Sequence, residues 1–231
     1  MLNQFVIIRN SFFVSTYMNR LLLIVSLCCL ALCASAREYA DTALYQGMSI
    51  KLDIGTPILE IARSKGKIQN YEAAINVRLA KRFYPTLEAG YAFAERGVDG
   101  GFHKGHGGFG RLGVDMAVVK KGTTENNMLI GLRFGGAYQN YDLTNVKLYS
   151  EYWGEKQLNF YDQHRFDCWG EIVAGCQVQI YKGFQMGWYI RMKLLFTRNA
   201  KEGEVMPYYV PGLGFRKDFN WGFNYYLAYK F

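Results

Sequence analysis

The chain has 231 residues, enough for one domain plus a targeting segment. Half of the residues are hydrophobic and 16% are aromatic, with Gly 25, Tyr 18, Phe 16 and only Pro 4, a mixture that favours pleated strands over helix bundles. The formal charge of +8 comes without a concentrated Lys/Arg run or a basic helical stripe, so nucleic acid is not an expected partner; after residue 36 no run is apolar and long enough for a transmembrane helix.

In chain order, residues 1–17 read as an over-called extension, with translation starting at Met18. Residues 18–36, "MNRLLLIVSLCCLALCASA", combine a basic residue, an apolar run of signal-peptide length and Ala34-Ser35-Ala36 as a small-residue cleavage site. Cleavage is expected after Ala36, leaving 37–46 as a short periplasmic segment ahead of a domain over 47–231. Cys28, Cys29 and Cys33 leave with the signal, and Leu32 before Cys33 speaks against a lipid anchor. Cys168 and Cys176 lie in one expected strand, about 26 Å apart at ~3.3 Å per residue. They cannot pair and read as small apolar surface residues.

From residue 48 the hydropathy alternates with period two. Segments 48–54, 71–79, 86–93, 111–118, 128–138, 169–180, 184–196 and 220–231 each carry an apolar face opposite a polar or small one. Alternation of this kind suits a soluble sandwich, with the apolar face in a core, or a membrane barrel, with that face in lipid. Three features favour the barrel. The apolar faces approach the ~9–11 residues a tilted strand needs to span a bilayer. Aromatics gather at strand ends (Tyr91 and Phe93, Phe134 and Tyr138, Phe196, Phe219 and Trp221, Tyr229 and Phe231) as in two interfacial girdles. Connections alternate short (81–85, 120–126, 181–184) and long (55–69, 95–108, 139–167, 197–218), as turns and outer loops do. Residues 208–216, "YYVPGLGFR", would make a ninth strand, but bacterial barrels have even strand numbers and Pro207 and Pro211 lack ladder donors. They are assigned to the last outer loop. The expected fold is all-β: an eight-stranded antiparallel up-and-down transmembrane β-barrel behind a cleaved signal peptide.

The polar faces carry Asp53, Glu72, Glu88, Asp115 and Glu171 with Lys51, Arg78, Arg111, Arg133, Arg191, Lys193 and Lys230. Side chains just fill an eight-stranded barrel, and buried charges persist when paired. An ion-pair network that plugs the lumen is expected, without a conducting channel. His103, His106 and His164 fall in the expected long loops. A His-x-x-His in a Gly-rich loop supplies two ligands where a metal site needs three or four. His164, between Asp162 and Asp167, has carboxylates beside it as a general base does, with Ser150 in the same loop. The reading preferred is a solvated polar loop: no catalytic residue, cofactor or metal is assigned. Tyr149, Tyr152, Trp153, Tyr161, Tyr208 and Tyr209 are candidate loop contacts for an extracellular glycan or protein, against the alternative that such aromatics pack strand extensions.

With the signal peptide, the short-turn and long-loop rhythm, "LEAGYAF" (87–93), "LIGLRFGGAY" (129–138) and "YYLAYKF" (225–231), residues 47–231 resemble the small outer-membrane β-barrel proteins of Gram-negative bacteria. In style they resemble the uncharacterised barrel families of Bacteroidota. The resemblance implies residence in the outer membrane, contact with its lipid, and delivery by the barrel-insertion machinery, with Tyr225, Leu227, Tyr229 and Phe231 as the insertion signal. The function expected is a non-enzymatic outer-membrane barrel with a structural or surface-binding role through its outer loops. The alternatives are a barrel hydrolase acting on lipid or peptide, with His164 as base, and a soluble secreted β-sandwich binding module.

Overall fold

The structure, a computed structural model, describes residues 45–79, 82–98, 101–118, 126–150, 154–199 and 205–231, with backbone alone at 98, 147–150 and 154–156. The expected signal peptide and its cleavage point lie outside the described residues. In chain order the elements are β1 (Tyr45–Asp53), α1 (Gly55–Ser64), β2 (Ile68–Leu79), β3 (Phe83–Val98), β4 (Gly101–Ala117), β5 (Asn127–Ser150), β6 (Gly154–Tyr181), β7 (Phe184–Leu195), β8 (Tyr209–Val210), β9 (Gly214–Phe215) and β10 (Phe219–Lys230). No described helix is long and apolar enough to cross a membrane.

Eight of these strands form one antiparallel sheet in the order β1-β10-β7-β6-β5-β4-β3-β2, closed as a barrel because β1 pairs with both β10 and β2. Each segment expected as a strand from its alternation is one, and the period of two sorts side chains between the two faces of the wall. The wall is one closed sheet, not the two packed sheets of the sandwich alternative. The turn between β6 and β7 is the two-residue Lys182-Gly183, with φ of 32° and 103°. Positive φ at both positions matches the twist of a tight hairpin, and glycine makes the second one cheap.

Three expected loops are structured. Residues 95–98 and 101–108 continue β3 and β4 in register, from Glu95↔Lys104 to Val98↔Gly101. Residues 139–150 and 154–167 also prolong β5 and β6, with register shifts between Tyr141 and Val146, to 24 and 28 residues, more than twice what one bilayer span uses. Alternation continues through the β3–β4 hairpin, but the glycines of 95–108 and the polar residues of 139–167 resemble loop composition. The 208–216 segment is no ninth wall strand: β8 and β9 form a separate two-stranded hairpin.

The fourth expected loop, 55–69, contains α1, a helix that the strand-rich composition did not suggest. Its local reasons are clear. Asp53 Oδ1 accepts the amides of Gly55 (3.0 Å) and Thr56 (3.2 Å), satisfying donors that a helix start leaves free. Pro57 sits in the first turn, where its missing N–H costs nothing, and Lys65 ends the helix at φ 54° with its amide on the Ile61 carbonyl.

This helix stands where the wall is incomplete. β1 stops at Asp53, opposite Tyr226, whereas β10 runs on to Phe219 and β2 to Ile68. The upper edges of β2 (68–72) and β10 (219–225) therefore have no β1 residue between them. α1 is pinned to both. At its start the Ile54 amide donates to the Tyr225 carbonyl (2.9 Å) and the Thr56 hydroxyl to the Phe223 carbonyl (3.2 Å). At its end the Ser64 hydroxyl accepts from the Ile68 amide (2.9 Å) and donates to the Glu60 carbonyl (2.6 Å).

Candidate functional site

The ring has an apolar outside and a charged inside. Leu112, Phe134, Tyr138 and Trp221 point outward and are 58–68% exposed, whereas Glu88, Arg111, Asp115, Arg133 and Glu171 point inward and are at most 4% exposed. The lumen is filled in layers. Near the short-turn end, Tyr84, Leu129, Val173, Tyr189 and Tyr226 pack together. Above them lies an ionic layer.

Three arginines from different strands organise that layer. Arg191 (β7) reaches Glu72 (3.1 Å), Glu88 (2.8 Å) and Glu171 (3.0 Å). Arg111 (β4) pairs with Glu72, with Glu88 at 3.1 Å and with Glu171 at 3.3 Å. Arg133 (β5) binds Glu88 (3.0 Å) and grips Asp115 through both terminal nitrogens, at 2.6 and 2.8 Å. Each carboxylate is shared or chelated, the condition under which a buried charge is tolerable.

Of the other residues expected in this network, Lys51 enters through a neutral relay: its ammonium donates to the Tyr189 hydroxyl (3.0 Å), which donates to Asp115 (2.8 Å). Asp53 is linked through the Asn224 amide, which also meets Glu72. Three residues stand elsewhere. Lys193 donates to the carbonyls of Gly212 (2.6 Å) and Leu213 (3.4 Å), so it anchors the β8–β9 turn. Arg78 lies near the Tyr84 ring at the opposite end. Lys230 pairs in register with Ser49 at that end. Sequence reasoning missed Tyr189, Asn224 and Trp169, whose indole donates to Glu171 (2.6 Å). Their inward parity was readable, but no charge marked them. It also missed a second buried cluster, in which Asp167 accepts from Arg165 (3.0 Å), Arg216 (2.9 Å), Gln139 (3.1 Å) and Thr197 (2.6 Å).

The β8–β9 hairpin closes the lumen above the ionic layer. Val210 and Leu213 pack on Phe109, Trp169 and Leu195, and Tyr209 with Phe215 packs on Ile68, Ala92 and Ala94. Gly212 permits this approach: its φ is +74°, and a Cβ there would lie 2.6 Å from the Phe109 ring. Tyr209 is thus buried and unavailable as the surface contact expected of it. Tyr208 and Tyr161 are exposed. Tyr152 and Trp153 lie outside the described residues, as does the side chain of Tyr149.

Between the hairpin, α1 and the free edges of β2 and β10 lies a cavity of about 610 Å³. Arg63, Lys67 and Arg96 stand on its lining with Glu60, whose carboxyl hydrogen-bonds Tyr209. Burial raises the Glu60 carboxyl to about 7, against the opposing pull of Lys193. Its Oε2 is buried without a hydrogen-bond partner among the described residues.

The histidines do not converge. His103 faces inward, buried against Tyr141, whereas His106 faces outward beside Tyr91: three residues apart on a strand means opposite faces. His164 is exposed on β6, stacked on Tyr138 with Nε2 3.3 Å from Asp162, and Asp167 is buried on the other face. The Ser150 side chain lies outside the described residues. No group of three metal-ligating side chains occurs among the described residues. Cys168 and Cys176 are free thiols. Of the expected insertion-signal residues, Leu227, Tyr229 and Phe231 are exposed on the outer face of β10, and Tyr225 is half-buried with its hydroxyl on Met186 Sδ at 3.2 Å.

These features define a closed eight-stranded antiparallel β protein with an ionic interior, an apolar exterior and a cavity at one rim. Residues 13–231 match the model of the family described as "Domain of unknown function (DUF6048)", and the chain belongs to that family. A comparison with the curated proteins returns no match.

Proposed function

We propose that the protein is a transmembrane β-barrel of the outer membrane of a Gram-negative cell, in the manner of the small barrels of Bacteroidota. Its role is structural or ligand-binding at the outer rim and involves no catalysis. The observation that carries this reading is the inversion of the wall. An aqueous protein seldom leaves apolar patches beyond a few hundred Å² uncovered, yet here exposed apolar residues recur on every strand of the ring, including Leu52, Tyr71, Leu87, Leu112, Leu132, Ile172, Ile190 and Leu227. Lipid is the solvent in which that outside and that inside are both stable. The short turns would face the periplasm, and α1, the tall hairpins and the β8–β9 plug would face outward.

The packed ionic layer and the plug give a lumen without a conducting path. The exposed aromatics Tyr161 and Tyr208 remain candidates for extracellular contact. The aromatic outer face of β10 is the proposed recognition strand for the insertion machinery.

Cell fractionation with heat-modifiable gel migration tests this proposal. The expected result is recovery with outer-membrane lipid and faster migration of the unheated barrel. Recovery in the soluble fraction with identical migration before and after heating would overturn it.

A further inference from the structure

We infer that the rim cavity is a binding site for an anionic amphiphile, a hydrocarbon chain bearing a phosphate or carboxylate head, which enters sideways through the gap in the wall that α1 only partly fills. The inference rests on the barrel reading above and extends it to a ligand class.

The first observation concerns the edge of β10. The cavity is lined by Asn220, Gly222 and Asn224, which point inward, and also by Trp221 and Phe223, which point outward. Residues from both faces of one strand can line one cavity only around a free edge. β10 has such an edge because β1 ends opposite Tyr226. The cavity thus joins the interior of the rim to the apolar outside. The rows of inward and outward residues meet there, so a polar head and an apolar chain can be accommodated together.

The second observation is the two-sided character of α1. Thr56, Glu60 and Arg63 face the cavity, whereas Ile58 and Ile61 are 64% and 45% exposed. Spacings of three and four place each set on one face of a helix. α1 therefore continues the pattern of the wall, polar within and apolar without, at the level where β1 has stopped. It is joined to β10 only near its start, through Ile54 and Thr56, and to β2 at its end, through Ser64. The Asn220–Gly222 stretch of the β10 edge faces the cavity instead of the helix.

Charge selects the head group. Among the described residues no carboxylate lies within ion-pair distance of Arg63, Lys67 or Arg96, the last of which rests on the Phe215 ring at 4.8 Å. Of the carboxylates nearby, Glu72 is engaged by Arg111 and Arg191 and Glu95 by Lys104 at 2.8 Å, while Glu60 hydrogen-bonds Tyr209 and burial favours its neutral form. Three cations around a concave, partly apolar site suit a phosphate or carboxylate. Volume sets the rest. The cavity of about 610 Å³ lies within the usual ~300–1,000 Å³ range for ligand sites, room for a head and the start of one chain. The remainder of the chain would pass Trp221 and Phe223 onto the outer surface.

The test uses the protein extracted from membranes into zwitterionic micelles. The probes are a lysophosphatidate and a lysophosphatidylcholine with the same brominated chain, with quenching of tryptophan fluorescence as readout, and inorganic phosphate as competitor. The native protein is expected to bind the lysophosphatidate at least about tenfold more tightly than the zwitterionic lipid. The triple variant Arg63→Gln, Lys67→Gln, Arg96→Gln should abolish that preference while keeping heat-modifiable migration; all three side chains are exposed, so the barrel does not depend on them. Equal affinities in the native protein, or a preference unchanged in the triple variant, would overturn the inference. Displacement by phosphate alone at the same concentration as the lipid would replace the amphiphile with a free anion and likewise overturn it. A barrel that is heat-modifiable yet shows no preference sinks only this site, whereas loss of heat-modifiability in the native protein sinks the barrel reading itself.

Discussion

Arg191 holds three carboxylates from three strands, Glu72, Glu88 and Glu171, at 2.8–3.1 Å. Removing one partner of a buried ionic cluster leaves the rest uncompensated, which typically costs about 3–5 kcal/mol. Arg191→Met should destabilise the barrel by that order, read as a lower urea midpoint in micelles, whereas Arg63→Gln at the exposed rim should change it by less than about 0.5 kcal/mol. Glu60 gives a pH dependence. Its folded value of about 7 lies above its ordinary 4.5, so the stability it contributes is full below 4.5 and is lost as pH rises through about 7. Hydrogen exchange of the α1 amides, corrected for intrinsic rates, should quicken across that window, and Glu60→Gln should flatten the response. At this scale, parity along a strand makes the charged lumen residues legible in the sequence. It said nothing of which neutral groups join them: Tyr189 and Asn224 share that parity with Gly187 and Gly222. Nor could it separate Lys193, which reaches a carbonyl pair 19 and 20 residues away in the chain, from the arginines of the network.

The elements depart from expectation where glycine and polar composition mask regular structure. The β3–β4 and β5–β6 hairpins rise as strands through segments of loop-like composition, rich in glycine over 95–108 and in polar residues over 139–167. α1 carries readable signals, Asp53 ahead of it, Pro57 in its first turn and Gly66 after it, but its 10 residues are short beside the alternation on either side. An even strand count and the prolines Pro207 and Pro211 argue against a ninth wall strand over 208–216, and β8–β9 stands apart from the wall. Its descent into the lumen depends on Phe109 and Trp169, which lie far off in sequence and could not be paired with it by pattern. Gly212 is where this element is most easily broken. Gly212→Val would place atoms against Phe109 at a backbone φ of +74°, a strain of about 1–3 kcal/mol. Exchange protection should fall at 209–215 while the amides of β5 and β6 keep theirs; uniform loss across the ring would show that the hairpin is integral to barrel stability.

At the scale of the whole molecule, the sheet is inverted relative to a water-soluble barrel, and its inside is closed twice, by ions and by the hairpin. An insulating lumen follows: in planar bilayers the reconstituted protein should give no discrete conductance steps, and regular single-channel openings would contradict the plug. The measurement that bears most directly on the inversion is nitroxide scanning along β10 in reconstituted bilayers, in a Cys168→Ala, Cys176→Ala background. Labels at Tyr225 and Leu227, below the rim cavity, should be accessible to oxygen and shielded from a water-soluble nickel complex, while labels at Tyr226 and Ala228 should be shielded from both. Free access of the nickel complex to Tyr225 and Leu227 would mean that this face meets water, and the account of the protein as a membrane barrel would fail.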